Sequence, residues 1–253
     1  MPARGRILVC LDYDGTISAI TTDLYDARPV AGGREVIAQL AAHPERVTLA
    51  VISGRKISDV RRLLGVERGV LFAGVHGLEI LKPDGAVIVS HEAEMALDDL
   101  AKVRRWLAGA VSEEDGYVVE DKDVAIAFHY RIPGPERARG VRERLSECVE
   151  REAPGLRIMQ GKMIDEILPA HGGGKADALR FVMESSGVSR ANSAYFGDDT
   201  TDEDAFGELG TEGLTVLVGA ARPSLARFRV DSPEEVVKEL ASLADVAATS
   251  PAH

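Results

Sequence analysis

Two cysteines in 253 residues, Cys10 and Cys148, leave no basis for a disulfide-stapled fold. Cys10 lies in an apolar run and Cys148 in a helical pattern, so a cysteine-built metal site is excluded as well. Basic charge is also scarce: 30 Lys and Arg against 41 Asp and Glu give a net charge of −11. Nucleic acid calls for clustered Lys and Arg and is therefore not an expected partner. The Arg-rich piece Arg137–Arg144 alternates with Glu and apolar residues and reads as a solvated helix face. Long apolar runs are missing too. No stretch is long enough to span a bilayer, and the first apolar run, Ile7–Leu11, is too short for a signal peptide and leads straight into aspartates. The expectation is a soluble, monomeric chain in the reducing cytoplasm, with neither a membrane nor a nucleic-acid partner.

What is present suits one large domain, or a core with a smaller companion, because 45% of the residues are hydrophobic. Strand-like Ile7–Leu11, Val47–Ile52 and Val70–Ala73 alternate with helical patterns over Gly33–Ala42 and Lys56–Leu64, a rhythm that implies a parallel sheet with helices on its faces. The middle differs. "KPDG" (82–85) signals a hairpin between Glu79–Leu81 and Ala86–Val89. A helix over Glu92–Leu107, a strand pair around Tyr117–Tyr130, a helix over Glu136–Arg151 and strands over Leu156–Met159 and Met163–Leu168 follow. They suggest an α+β module, residues 91–171, inserted in a parallel-sheet core of residues 1–90 and 172–253. "PAHGGG" (169–174) reads as the link back to a helix over Lys175–Ser186, a strand over Ser193–Phe196, a helix from Thr201, strands over Leu214–Val218 and Phe228–Val230 and a helix over Pro233–Leu243. The tail "AATSPAH" is expected to be disordered.

In "LVCLDYDGT" a buried strand runs into two carboxylates, Asp12 and Asp14. Alternation along a strand would set them on one side, where like charges repel unless a cation intervenes; a plain turn is the competing reading. Ligands of open parallel sheets bind beyond the carboxyl ends of the strands. Three further pieces belong there: "SGR" (Ser53–Arg55), Lys175 at a helix start, and "GDDTTDED" (197–204). Each alone is ordinary. Read as an EF-hand from Asp198, the last piece has Glu203 at the turn glycine and Leu209 at the bidentate Glu. "GGGKA" is no P-loop, since Pro169 stands at the first glycine and Ala176 at the Ser or Thr.

Together, DxDGT, a Ser after the second strand, a Lys and GDxxxD resemble the haloacid dehalogenase superfamily of phosphotransferases. The resemblance implies an α/β fold: a Rossmann-like parallel-sheet hydrolase core with an inserted α+β cap. It also implies Asp12 as nucleophile and Asp14 as general acid and base, a Mg²⁺ ion held by Asp12, the backbone carbonyl of Asp14 and Asp198, and Asp199 or Asp202 supporting the metal's waters. Thr16, Ser53 and Lys175 would hold the phosphate. "LDYDGTISAI", "VISGR", "GVHGLEI", "VEDKDVAIAFHYR", "GKMIDEILP" and "YFGDDTTDEDAF" are similar to the trehalose-6-phosphate phosphatase family. By that resemblance Glu120, Lys122 and Glu166 match sugar-contacting positions and His76 a residue near the sugar; Arg131 matches a motif without an assigned role. Val75, Ala176 and Leu168 depart from the family pattern, where Asn or Glu, Gly and Arg are common, and Val75 and Leu168 bear on sugar recognition. The implied partner is a small sugar phosphate. A sucrose-phosphate or glycosyl-3-phosphoglycerate phosphatase, a phosphohexomutase and a non-catalytic sugar-phosphate sensor stay open as alternatives.

Overall fold

The computed structural model describes residues 5–21 and 26–249. These form two compact units, one from the residues up to Ile88 and from Gly174 onward, the other from Val89–Gly173.

The first unit is built on β1 (Ile7–Asp12), β2 (Val47–Ile52) and β3 (Val70–Gly74), with α1 (Gly33–Ala41) and α2 (Ile57–Leu64) between them. β4 (Glu79–Leu81) and β5 (Val87–Val89) follow, joined through the "KPDG" turn, where the Lys82 amide donates to the Ala86 carbonyl. The sheet runs in the order β12-β11-β10-β1-β2-β3-β4-β5, where β10 is Ser193–Gly197, β11 Leu214–Val218 and β12 Phe228–Val230. Pairing is parallel from β12 to β3 and turns antiparallel between β3 and β4. Alternation decides which side each residue covers. Val9 and Leu11 pack with α1, α2 and α8 (Pro233–Thr249). Leu8 and Cys10 pack with α6 (Lys175–Ser186) and α7 (Glu203–Leu209). The next residue on that second side is Asp12. Chain order also places a site: after β1 the strands run outward to β3 on one side, and the return strand β10 lies on the other. β1 and β10 therefore flank the switch point of the sheet, where α/β folds bind ligands.

The second unit is a four-stranded antiparallel sheet, β6 (Val118–Asp121), β7 (Ile126–His129), β9 (Ile164–Pro169) and β8 (Leu156–Gly161), in the order β6-β7-β9-β8. One face carries Ile126, Phe128 and Ile167 onto α4 (Leu97–Ala110) and α5 (Gly134–Glu152).

Two expectations need correction. The helix read over Glu92–Leu107 is two helices, α3 (His91–Met95) and α4, meeting at Ala96. Ser90 caps α3 by accepting the Ala93 amide, at 3.1 Å. The tail expected to be disordered from Ala247 instead continues α8 to Thr249, because Ala244 and Ala247 extend the buried stripe begun by Val236 and Leu240. The remainder of that tail lies outside the described residues. Both cysteines are buried and free. Among the described residues, no helix is long and apolar enough to cross a membrane.

Candidate active site

β1 delivers Asp12, 4% exposed, to the start of α6. There the Lys175 ammonium donates to Asp12 Oδ1 at 2.9 Å and to Asp202 Oδ1 at 2.7 Å. Asp202 is fully buried with both oxygens accepting hydrogen bonds: Oδ1 also accepts from the Tyr195 hydroxyl at 2.8 Å, and Oδ2 from the Asp199 amide at 2.9 Å. Asp199 in turn accepts the Thr200 amide, forming a capping box over the short 3-10 turn Thr200–Asp202. Asp12, Asp198 and Asp202 each present an oxygen within 4.8 Å of the others.

One ammonium among these carboxylates leaves an excess of negative charge. Burial disfavours a charged Lys175, but Asp12 and Asp202 outweigh it and hold the ammonium above its ordinary range. Burial pushes the Asp12 carboxyl well above the usual carboxylate range, against the pull of Lys175. Burial, then Asp202, pushes Asp198 up to about 6. Since the hydrogen bonds above occupy both oxygens of Asp202, Asp12 and Asp198 are the pair with oxygen lone pairs to offer. An all-oxygen set that is short of positive charge fits a hard divalent cation such as Mg²⁺. The seat is narrow. Gly15 adopts φ +78°, and a Cβ there would lie 2.0 Å from Asp198 Oδ2; a Cβ at Gly197 would lie 2.2 Å from the Asp202 carboxyl carbon. Only glycine suits either position.

Asp14 behaves differently from the alternation argument. β1 ends at Asp12, so the period of two no longer governs Asp14. Its carboxylate takes a bidentate pair from Arg55, Nε to Oδ2 and Nη2 to Oδ1, both 2.7 Å. Arg55 also lies over the Tyr13 ring at 6.0 Å, and the Tyr13 hydroxyl donates to the Ala27 carbonyl at 2.7 Å. The sequence contains this arginine in "SGR", yet nothing local reveals its partner; the loop after β2 brings it back to the loop after β1.

Thr16 is fully buried, and its Oγ1 has no hydrogen-bond partner among the described residues. A buried orphan hydroxyl costs about 1–3 kcal/mol and needs an explanation. Ser53, 1% exposed, accepts the Arg55 amide at 3.1 Å. His76 is buried in a strained turn: Val75 at φ 47° and His76 at φ 57° are both left-handed, a conformation that a β-branched residue resists. Three backbone bonds hold them there: Val75 N to Arg55 O (2.8 Å), His76 N to Ser53 O (3.0 Å) and Gly174 N to His76 O (2.6 Å). The loop carrying Ser53, the turn carrying His76 and the entry to Lys175 are thus one knitted piece.

In the second unit, Lys122 donates to Glu166 Oε1 at 2.6 Å with both side chains nearly buried. β7 sets Ala127 between Glu120 and Glu166 in one cross-strand row, so the two carboxylates rise on the same face on either side of a small residue. His129 Nε2 stands 3.1 Å from Glu120 Oε2, and this hydrogen bond holds Glu120 below the usual carboxylate range despite its burial. His129 has no counterpart in the sequence reading. The only signal for it was its place two residues along β7 from Ala127.

A trehalose-phosphatase family model matches residues 10–234. The trehalose-phosphate phosphatase of Mycobacterium avium (strain 104) is 35% identical over 247 residues, covering 94% of this chain and 62% of that protein. The chain thus spans less than two thirds of that relative. A crystal structure of a trehalose-6-phosphate phosphatase related protein superposes with a TM-score of 0.80 at 26% identity, covering 95% of this chain and 98% of that one. A haloacid dehalogenase-like hydrolase from Bacteroides thetaiotaomicron shares the fold at 16% identity and a TM-score of 0.68, covering 94% of this chain and 99% of that one. By its family match and the fold that carries it, this chain belongs to the trehalose-phosphatase family.

Proposed function

We propose that the protein hydrolyses trehalose 6-phosphate to trehalose and phosphate with Mg²⁺ and an aspartyl-phosphate intermediate. The observation that carries this reading is Asp12, buried at the switch point between Lys175 and Asp198, in the same loop region as Thr16, whose hydroxyl has no partner among the described residues. A phosphoryl group supplies what each lacks: an acceptor for Thr16, and an anion and cation pair that completes the charge around Lys175 and the carboxylates.

The steps balance. Asp12 attacks phosphorus, forming an acyl phosphate as the bond to the sugar oxygen breaks. Asp14 gives that oxygen its proton, so one oxygen of Asp14 must be released from the Arg55 fork. Water then attacks the acyl phosphate, Asp14 accepts the water's proton, and Asp12 is regenerated. Lys175, Thr16 and Ser53 hold phosphate oxygens throughout. Asp12, Asp198 and the Asp14 carbonyl would hold Mg²⁺, whose chemistry is to offset phosphoryl charge and keep the reacting oxygens in line. Asp199 and Asp202 keep the loop in shape, Asp202 by bonding Lys175 and the Asp199 amide. Glu120, Lys122 and Glu166 bind sugar hydroxyls, and His76 lies by the sugar.

The test is phosphate release from trehalose 6-phosphate, sucrose 6-phosphate and glucosyl 3-phosphoglycerate, with Asp12→Asn as control. Trehalose 6-phosphate should be the best substrate, and the control should lose at least about a thousandfold. Preference for another sugar phosphate would overturn the substrate, and full activity of the control would overturn the mechanism.

A further inference from the structure

The loop after β11 carries an arginine that reaches across to the acidic loop after β10. Arg222 Nη2 donates to the Asp199 carbonyl at 2.8 Å and, at 3.4 Å, to the Asp198 carbonyl. Arg222 Nη1 pairs with Glu203 Oε1 and donates to its neighbour Pro223 O at 3.2 Å. Glu203, the first residue of α7, accepts the Leu225 amide at 2.7 Å with its other oxygen. Burial opposes a charged Glu203, yet the Leu225 amide, the Ser224 hydroxyl and Arg222 together hold its carboxyl below the usual range. One guanidinium thus ties the two acidic-loop carbonyls, the Pro223 carbonyl and the Glu203 carboxylate to a single point.

We propose that Arg222 is a positioning residue for a divalent cation at Asp12 and Asp198. This rests on the reading of those two carboxylates as cation ligands. The Asp199 and Asp202 side chains of the acidic loop are committed to the capping box and to Lys175. What orients the peptide behind the Asp198 carboxylate is therefore the bonding of its carbonyl and the next. The Asp199 carbonyl also accepts the Asp202 amide, at 3.1 Å, and Arg222 is the side chain that reaches both carbonyls from outside the loop. The tolerance is small, because the Asp198 carboxylate sits against Gly15 with no room for even a Cβ between them. A planar fork can serve both carbonyls and Glu203 at once, whereas the single ammonium of Lys cannot.

The experiment is Mn²⁺ titration of the whole chain, read by calorimetry and by the spin resonance of free Mn²⁺, on wild type, Arg222→Ala, Arg222→Lys and Asp198→Asn. Wild type should bind one ion that Asp198→Asn loses. Arg222→Ala should weaken Kd by about tenfold, the usual effect of removing a partner that orients a ligand, with Arg222→Lys in between. The Mg²⁺ concentration for half-maximal phosphate release should rise in step, by more than kcat falls. A residue that merely braces the loop would lower the melting temperature and leave Kd alone. A folded Arg222→Ala with Kd within twofold of wild type overturns the proposal. If Arg222→Ala does not fold, an unchanged Kd in Arg222→Lys does the same. If wild type binds no Mn²⁺, or Asp198→Asn binds as wild type does, the cation reading fails and takes this inference with it. That pattern is distinct from a defect confined to Arg222.

Discussion

Thr16→Val should make the protein more stable and worse at its reaction. Thr16 Oγ1 is sealed from solvent with no hydrogen-bond partner among the described residues. Valine keeps the branched shape and removes the orphan. Leaving such a hydroxyl unpaired costs about 1–3 kcal/mol. Recovering even about 1 kcal/mol of that should raise the melting temperature by about 2–4 °C in a chain of this size. The same hydroxyl, once given a phosphate oxygen, makes a hydrogen bond to a charged group worth about 1.5–3 kcal/mol. Its loss should lower kcat/KM by about ten- to a hundredfold. The assay pairs scanning calorimetry in phosphate-free buffer with phosphate-release kinetics. Inorganic phosphate should also stabilise wild type more than the variant, since the stability a ligand adds grows with the logarithm of its concentration over Kd. A variant that melts lower and retains wild-type kcat/KM would refute the reasoning on both counts.

Other outcomes follow from the same geometry. Asp14→Asn should slow phosphorylation of the enzyme by the sugar phosphate far more than by p-nitrophenyl phosphate, whose leaving group needs no proton; single-turnover rates lowered equally would remove Asp14 as the acid. Arg55→Ala frees the Asp14 carboxylate from its fork and should leave phosphorylation by the sugar phosphate less impaired than Asp14→Asn does, because the acid stays in place; a loss as large and as selective would show that the fork is needed to position Asp14. Asp198 is pushed up to about 6 in the folded protein. Its folded form therefore holds a proton more tightly than the unfolded chain, so this group's penalty is absent at low pH and grows as pH rises from the ordinary carboxylate range through about 6. Added Mg²⁺ should accordingly raise the melting temperature more at pH 7.5 than at pH 5, and an equal or reversed increment would contradict the assignment. Glu166→Ala removes the carboxylate that pairs with Lys122 at 2.6 Å. It should cost about ten- to a hundredfold in kcat/KM for trehalose 6-phosphate while sparing p-nitrophenyl phosphate, because a small substrate cannot use remote binding energy. Parallel losses in a folded variant would count against a sugar-reading role.

The sequence made the parallel sheet legible because its strands are buried on both sides and read as continuous apolar runs. Leu8–Leu11 and Val47–Ile52 could be little else. The acidic and glycine residues at the strand ends were legible for a related reason: parallel strands all point their carboxyl ends one way, so the ends of β1, β2 and β10 had to share an edge. What stayed hidden was pairing across that edge. Arg55 and Arg222 are unremarkable loop arginines until the fold sets one against Asp14 and the other against Asp198 and Asp199. The period of two failed at Asp14 because the strand stops before it. The break at Ala96 escaped notice because the residues on both sides favour helix, and the helical tail because small alanines bury well without looking apolar enough to demand it.

The pairing of β1 with β10, Leu11 against Phe196, has a kinetic consequence. β1, β2 and β3 come from the first third of the chain, whereas the β1–β10 ladder closes only once the chain has reached Ser193. Contacts so distant in sequence form slowly, since loop closure must precede any gain. The aspartate at the end of β1 is therefore synthesised early and armed late: Asp198 and Asp202, just beyond β10, reach it only with that ladder. In refolding, the return of activity should trail the recovery of secondary structure.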